Sequence, residues 1–227
     1  MKTVRLIYQK TGRAKYISHL DLNRLMQRVL KRTGLPVWYT EGFNPHAFVT
    51  FALPLSLGYE SRYDCMDFRI LNDDLNNDQM LQALRRALPP DIQALEVIDP
   101  VLKAKELAFA AFMLYLLCDT ETAARLSAFL QSEHILVEKR SKKKEVTTID
   151  IRSKIRQLEI TPTEDGLQIR LLLPAGPAEN INPALLLDAA EKNGCVFDVR
   201  SIVREMLYDK NMNIFRLQTC FENGILI

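Results

Sequence analysis

Apolar side chains at Leu22, Leu25, Met26, Val29 and Leu30 recur at i, i+3, i+4, i+7 and i+8, a single stripe of helical period. The flanking residues set its limits. Ser18 suits the N-cap, and Asp21, three positions on, suits the acidic member of a capping box, accepting from the Ser18 amide. Gly34 and Pro36 end the helix. Before it, TVRLIYQK is β-branched and aromatic and predicts a strand; after a turn at Thr11 and Gly12, AKYI pairs with that strand or continues it. VWYT and FVTFALPL predict strands on either side of a turn at residues 42–45. YDCMDFRIL predicts a further strand, NNDQMLQALRRAL a second helix and IQALEVID a closing strand.

The pattern restarts near residues 99–107. AAFMLYLLCD is a short apolar run, followed by a helix expected over 121–132 with Thr120 as its cap. ILVEKR predicts a strand, and SKKKE is too short and too charged for anything but a hairpin tip or mobile loop. VTTIDIRSKIRQLEITPTEDGLQIRLLLP alternates as strands around a turn at Asp165 and Gly166. NPALLLDAAEKNG predicts a helix capped by Asn182 with Pro183 at its first position. VFDVRSIVREMLY and NIFRLQTC are the last strand-like runs. Each half thus reads strand, helix, strands, helix, strand. That order predicts an α+β protein of two tandem ferredoxin-like units, residues 1–104 and 105–227, with mostly antiparallel sheets and helices on one face. One larger α+β domain is the competing arrangement.

Composition changes this picture little. An apolar fraction of 48% over 227 residues suits a packed core. Charge distribution says more than the net +2. Residues 1–45 hold nine basic and two acidic side chains, a local +7; residues 60–99 hold four and nine, a local −5. Residues 139–156 hold eight basic side chains against Glu145 and Asp150, a local +6. Such segregation favours a polyanionic partner over the alternative of evenly solvated faces. Cys65, Cys118, Cys195 and Cys220 form no CxxC pattern and read as structural thiols of a reducing compartment. The amino-terminal residues lack an apolar signal core, and no run of about 18 apolar residues occurs. The expectation is a cytoplasmic protein without a membrane partner.

Candidate chemistry gathers in the first 50 residues. Arg24, Arg28 and Arg32 fall at successive i+4 steps on the polar side of the first helix, with Lys31 beside them. Guanidinium groups about 6 Å apart per turn can follow a phosphate backbone. Arg13 and Lys15, with Lys10, would extend that surface; an ordinary solvated face is the alternative. In EGFNPHAF, Gly42 permits a positive φ, and Pro45 fixes its own φ and restrains Asn44. So rigid a turn would present Phe43, Asn44 and His46, and Phe43, His46 and Phe48 could stack on unpaired bases. The phenylalanines could equally pack in the core. His19 and His46, with Asp21 as a carboxylate, are the candidates for metal-free acid–base chemistry on RNA, although a helix start disfavours a charged His19. No metal-ligand set, Walker loop, GxGxxG or GxSxG is present, and neither a metal nor a cofactor is expected.

Residues 12–70 resemble the radical-SAM-linked domain of unknown function 2344 family. The resemblance rests on Tyr16, Ser18, His19, Leu20 and Asp21; on Arg24; on Gly34, Leu35 and Pro36; on Gly42, Phe43, Asn44, Pro45 and His46; and on Leu53, Pro54, Leu57 and Gly58. The chain departs from the family pattern at Ala47 and Phe48 and at Asp64 and Cys65. The resemblance implies a radical-SAM protein as partner and a role near ribosomal or RNA-processing functions. With no CxxxCxxC, the chain is not itself the radical enzyme. Three functions stay open: an RNA-binding accessory in tRNA or rRNA modification or processing, a metal-independent endoribonuclease using His19 and His46, and a protein-docking module without RNA.

Overall fold

Strand β1 (Lys2–Lys10) forms where the first apolar run predicts it, and both of its faces are covered. The computed structural model of the protein describes residues 1–140 and 146–215. After β1 the chain makes a 3-10 turn at Gly12–Tyr16 in place of the expected AKYI strand. The positive φ of Gly12, +56°, turns the chain off the sheet there. Helix α1 (His19–Thr33) follows, capped by Ser18 and closed by Gly34 in the left-handed region. Leu22, Met26, Val29 and Leu30 are buried and Leu25 packs beside them, as the stripe predicts.

The two strands expected around residue 42 shrink. Val37 and Tyr39 make only isolated bridges, to Ile70 and Ala47, and β2 is reduced to Val49–Phe51. Proline at 36, 45 and 54 withholds amide donors across this stretch, which limits pairing. Beyond it come β3 (Glu60–Ile70), α2 (Asn77–Ala87) and β4 (Ile92–Ile98). In the second half the elements are β5 (Leu107–Leu117), α3 (Thr120–Leu130), β6 (Leu136–Arg140), β7 (Val146–Asp150), β8 (Gln157–Thr163), β9 (Gly166–Pro174), α4 (Pro183–Lys192) and β10 (Asp198–Asp209). The cap of α3 is Asp119 and not Thr120: its carboxylate accepts from the Thr122 amide at 2.7 Å. Asn182 and Pro183 start α4 as expected. The SKKKE loop, and NIFRLQTC after Phe215, lie outside the described residues.

The protein is a mixed α/β fold with a mostly antiparallel sheet and, among the described residues, four α-helices. Seven strands run in the order β4-β1-β3-β10-β5-β9-β8, with β2 on the free length of β3. Every neighbour is antiparallel except β3 and β10, which meet in parallel through Val203 opposite Glu60 and Arg204 opposite Ser61. Strands β6 and β7 form a separate hairpin. One apolar cluster packs α1 and α2 on Leu6, Tyr8, Met66 and Phe68; a second joins α3 and α4 to β5 and β9 and reaches across to Ile7 and Cys65. Gly166 is required where β9 leaves its turn, because a Cβ there would stand 2.1 Å from the Leu116 carbonyl oxygen of β5.

The short β3–β10 contact is reinforced by buried charge. Arg204 on β10 pairs with Asp64 on β3, both nearly inaccessible, and also donates to the carbonyls of Leu53 at 3.0 Å and Pro54 at 3.3 Å. Lys10 is enclosed nearby, where burial pushes its ammonium pKa down and the Asp64 charge partly offsets that. The 52–59 loop continues the junction: Tyr59 donates to Asn182 at 2.7 Å, and Asn182 donates to Ser56 at 2.8 Å. The LPLSLG segment therefore joins the first half of the chain to the start of α4.

Candidate nucleic-acid interface

Position in the fold sorts the basic residues of the first segment. Arg5 and Lys10 are buried and belong to the interior, which removes two of the nine charges from the local +7. Arg5 forms a two-pronged pair with Asp67, at 2.7 and 2.9 Å, and donates to the Leu102 carbonyl. Lys15 approaches Glu60 at 3.5 Å and lies over the Tyr16 ring, while Arg13 faces Asp91 at 3.8 Å from an almost fully exposed position.

Along α1 the arginine line is unequal. Arg24 pairs with Asp21 at 3.3 Å, one turn back. Arg32 donates to the carbonyl of Ala87 at the end of α2, where helix carbonyls lack intrahelical partners. That contact ties α1 to α2, so the third arginine has a structural duty. Arg28 and Lys31 are exposed and make no ion pair among the described residues. The basic face is thus centred on these two, with Arg24 and Arg32 flanking.

At the start of α1, Ser18 and Asp21 form a local box with one difference from expectation. The Ser18 hydroxyl accepts from the Asp21 amide at 3.2 Å and donates to the Asp21 carboxylate at 2.7 Å; the carboxylate takes the hydroxyl and not the Ser18 amide. Asp21 is therefore engaged by its own cap and by Arg24. His19 is half-buried, its ring edge-on to Phe51 of β2 with centroids 5.0 Å apart, so α1 is braced against the strand that follows the turn.

The 40–46 turn is closed by its own backbone. Thr40 donates its amide to the His46 carbonyl at 2.9 Å, and the His46 amide donates to the Thr40 hydroxyl at 3.2 Å. Gly42 takes φ +123°. His46 Nδ1 lies 3.0 Å from the Asn44 carbonyl and 3.2 Å from the Thr40 hydroxyl, so the ring is tied back to its own turn through that nitrogen. Phe43 stands at the tip with a relative exposure of 106%, so it contributes nothing to the core. His19 and His46 are held by separate partners, Phe51 for one and Thr40 with Asn44 for the other.

Sequence reasoning did not single out two residues at the base of this turn. Trp38, Phe48 and Arg69 meet there: the Arg69 guanidinium carbon is 4.5 Å from the Phe48 ring centroid and 5.2 Å from that of Trp38. The two rings are 5.8 Å apart at 63°. Phe48 was expected to stack on bases or enter the core; it is half-buried against an arginine. The chain carries only one tryptophan, a signal of sorts, but nothing local shows that Arg69 lies across from it.

No helix among the described residues is long and apolar enough to cross a membrane. The family described as "Uncharacterized protein conserved in bacteria (DUF2344)" matches residues 3–183. No curated protein matches the chain. Among solved structures, a crystal structure of a Cbf5–Nop10–Gar1 complex is similar at 11% identity and a TM-score of 0.47 over 88% of this chain. The present chain spans 47% of that one. A crystal structure of an unknown protein from Galdieria sulphuraria is similar at 13% identity and a TM-score of 0.26, over 87% of this chain and 96% of the other.

Proposed function

This chain belongs to the DUF2344 family of uncharacterized proteins conserved in bacteria, and on that footing we propose that it is an RNA-binding accessory protein that works with a radical-SAM enzyme in tRNA or rRNA modification or processing. The observation that carries the reading is Phe43, wholly exposed at the tip of a closed, rigid turn. A phenylalanine left in water contributes no apolar burial to folding, and a stacked base is a natural cover for it. The cations Arg28 and Lys31 supply phosphate contacts, and Arg13, Lys15, Arg24 and Arg32 add positive potential around them. Asn44 and His46 offer polar atoms beside Phe43. The radical-SAM partner rests on the resemblance of residues 12–70.

Two tandem ferredoxin-like units, with a boundary near residue 104, belong to the same reading. Supporting it, strands β4-β1-β3-β2 and β10-β5-β9-β8 each follow the order fourth, first, third, second within their own half, once the β6–β7 hairpin is set aside as an insertion.

The test is the salt dependence of binding to a single-stranded RNA. Changing Arg28 and Lys31 together to Ala should weaken binding and flatten the log–log salt slope by about 1.4, at about 0.7 per phosphate contact. An unchanged slope and affinity, with the fold intact, would remove α1 from the interface. Co-purification of a radical-SAM protein, with and without nuclease treatment, separates an RNA-bridged association from direct protein docking.

A further inference from the structure

Arg69 is held differently from the buried arginines Arg5 and Arg204. Arg5 pairs with Asp67 and donates to the Leu102 carbonyl, and Arg204 pairs with Asp64 and donates to two loop carbonyls, although Nη1 of Arg5 and Nε of Arg204 are left without a partner. The guanidinium of Arg69 makes no hydrogen bond or ion pair among the described residues, although the residue is half-buried. Its neighbours are the faces of Phe48 and Trp38. The backbone fixes the group, since the Trp38 amide donates to the Arg69 carbonyl at 2.9 Å and the Phe48 amide to the Trp38 carbonyl at 3.3 Å. Along β3, Phe68 and Ile70 on either side are fully buried, so Arg69 faces the other way from the α1–α2 core.

A guanidinium so placed keeps five N–H donors in a planar fork while part of its hydration is displaced by aromatic carbon. A planar oxyanion is the acceptor that completes the fork, and a phosphodiester presents one. Trp38 and Phe48 are only half-buried, and each has a second ring face that Arg69 does not cover, on which an unpaired base can stack. A base inside a duplex has both faces covered and cannot use them. The 40–46 turn with Phe43 departs from Trp38 and returns at Phe48, so a strand stacking on Phe43 approaches this group next.

We propose that Trp38, Phe48 and Arg69 form a subsite for one unpaired nucleotide of a single-stranded RNA, Arg69 binding the phosphate and the rings taking the base. The proposal rests on the RNA-binding reading and deepens it.

The chain has a single tryptophan, so its emission reports on this subsite alone. The full chain, Arg69→Gln and Phe48→Leu are titrated with a mixed-sequence RNA of about 12 nucleotides, long enough to cover one single-strand site. Trp38 emission is followed with unlabelled RNA, and affinity separately by anisotropy of a labelled copy. The expected result is quenching of Trp38 by the single strand and not by its duplex. Affinity should fall about ten-fold in each variant, and the salt slope of Arg69→Gln should fall by about 0.7. The quench in the unaltered protein needs no variant to fold. Binding with Trp38 emission unchanged, or Arg69→Gln binding like the parent, overturns the subsite while leaving RNA binding in place. A poly-glutamate peptide giving the same Arg69-dependent quench overturns it in favour of an acidic protein partner. Absence of RNA binding by anisotropy overturns both readings. Loss in Arg69→Gln but not in the Arg28 and Lys31 double variant supports the subsite and removes only α1.

Discussion

Arg204 on β10 and Asp64 on β3 form an ion pair inside the protein, 140 residues apart in sequence, beside the parallel contact of β3 with β10. Replacing Arg204 by Met leaves the Asp64 carboxylate enclosed without its guanidinium and strips the Leu53 and Pro54 carbonyls of a donor. The expected loss is about 3–5 kcal/mol, whereas an apolar pair of similar volume is tolerated. Arg204→Met with Asp64→Leu should therefore recover most of it. Urea unfolding of the two variants checks this; a single-variant loss below about 1 kcal/mol would show that the pair does not hold the junction.

Arg32 and Arg28 look equivalent in the sequence and differ in duty. Arg32→Ala removes a cationic donor from the carboxyl end of α2, where the helix dipole is negative. It should lower stability by about 1 kcal/mol. Arg28→Ala should leave the thermal midpoint unchanged and act only on RNA affinity. Equal midpoints for the two variants would refute the division.

Ser18 and Asp21 make a cap whose loss is local. Ser18→Ala deletes both hydrogen bonds and should cost about 1 kcal/mol; Asp21→Asn keeps an acceptor oxygen and should cost about 0.5 kcal/mol. RNA binding should survive the second change. Unaltered stability with loss of partner-dependent activity would instead put Asp21 with the functional groups.

Asp150 gives a pH dependence with a definite sign. Its carboxylate accepts from His134 at 2.7 Å and from the amides of Arg152 and Ile135, which holds its pKa down at about 2. In the unfolded chain an aspartate titrates near 3.9. The stabilisation is thus complete above about pH 4 and fades as pH falls through 2. Asp150→Asn should be less stable than the parent at pH 6 and indistinguishable from it below pH 2. Chemical unfolding across that range measures the difference. A gap that persists at pH 1.5 would mean that ionisation of Asp150 is not its source.

The sequence by itself determined what depends on neighbours a few residues away. The α1 stripe, its Ser18 cap and Gly34 stop, the Asn182 and Pro183 start of α4, and the closed turn around Gly42 and Pro45 are all local, because helix faces, caps and φ restrictions are set within one or two turns. Residues 12–70 also carried the family resemblance. Tertiary structure decided the rest. The composition of residues 1–45 counts Arg5 and Lys10 as surface charge, yet Arg5 lies under the Phe215 ring and the Leu102 carbonyl and Lys10 is buried near Asp64. VWYT and FVTFALPL have strand character, but three prolines and the approach of β10 to β3 leave them short of partners. Arg69 lies 31 positions from Trp38, and only the bridge of Val37 to Ile70 and the Trp38 amide's bond to the Arg69 carbonyl at the end of β3 bring its charge against the two rings. A side chain's exposure and partners follow from what the fold packs against its face of the sheet, and that is a property of the whole chain.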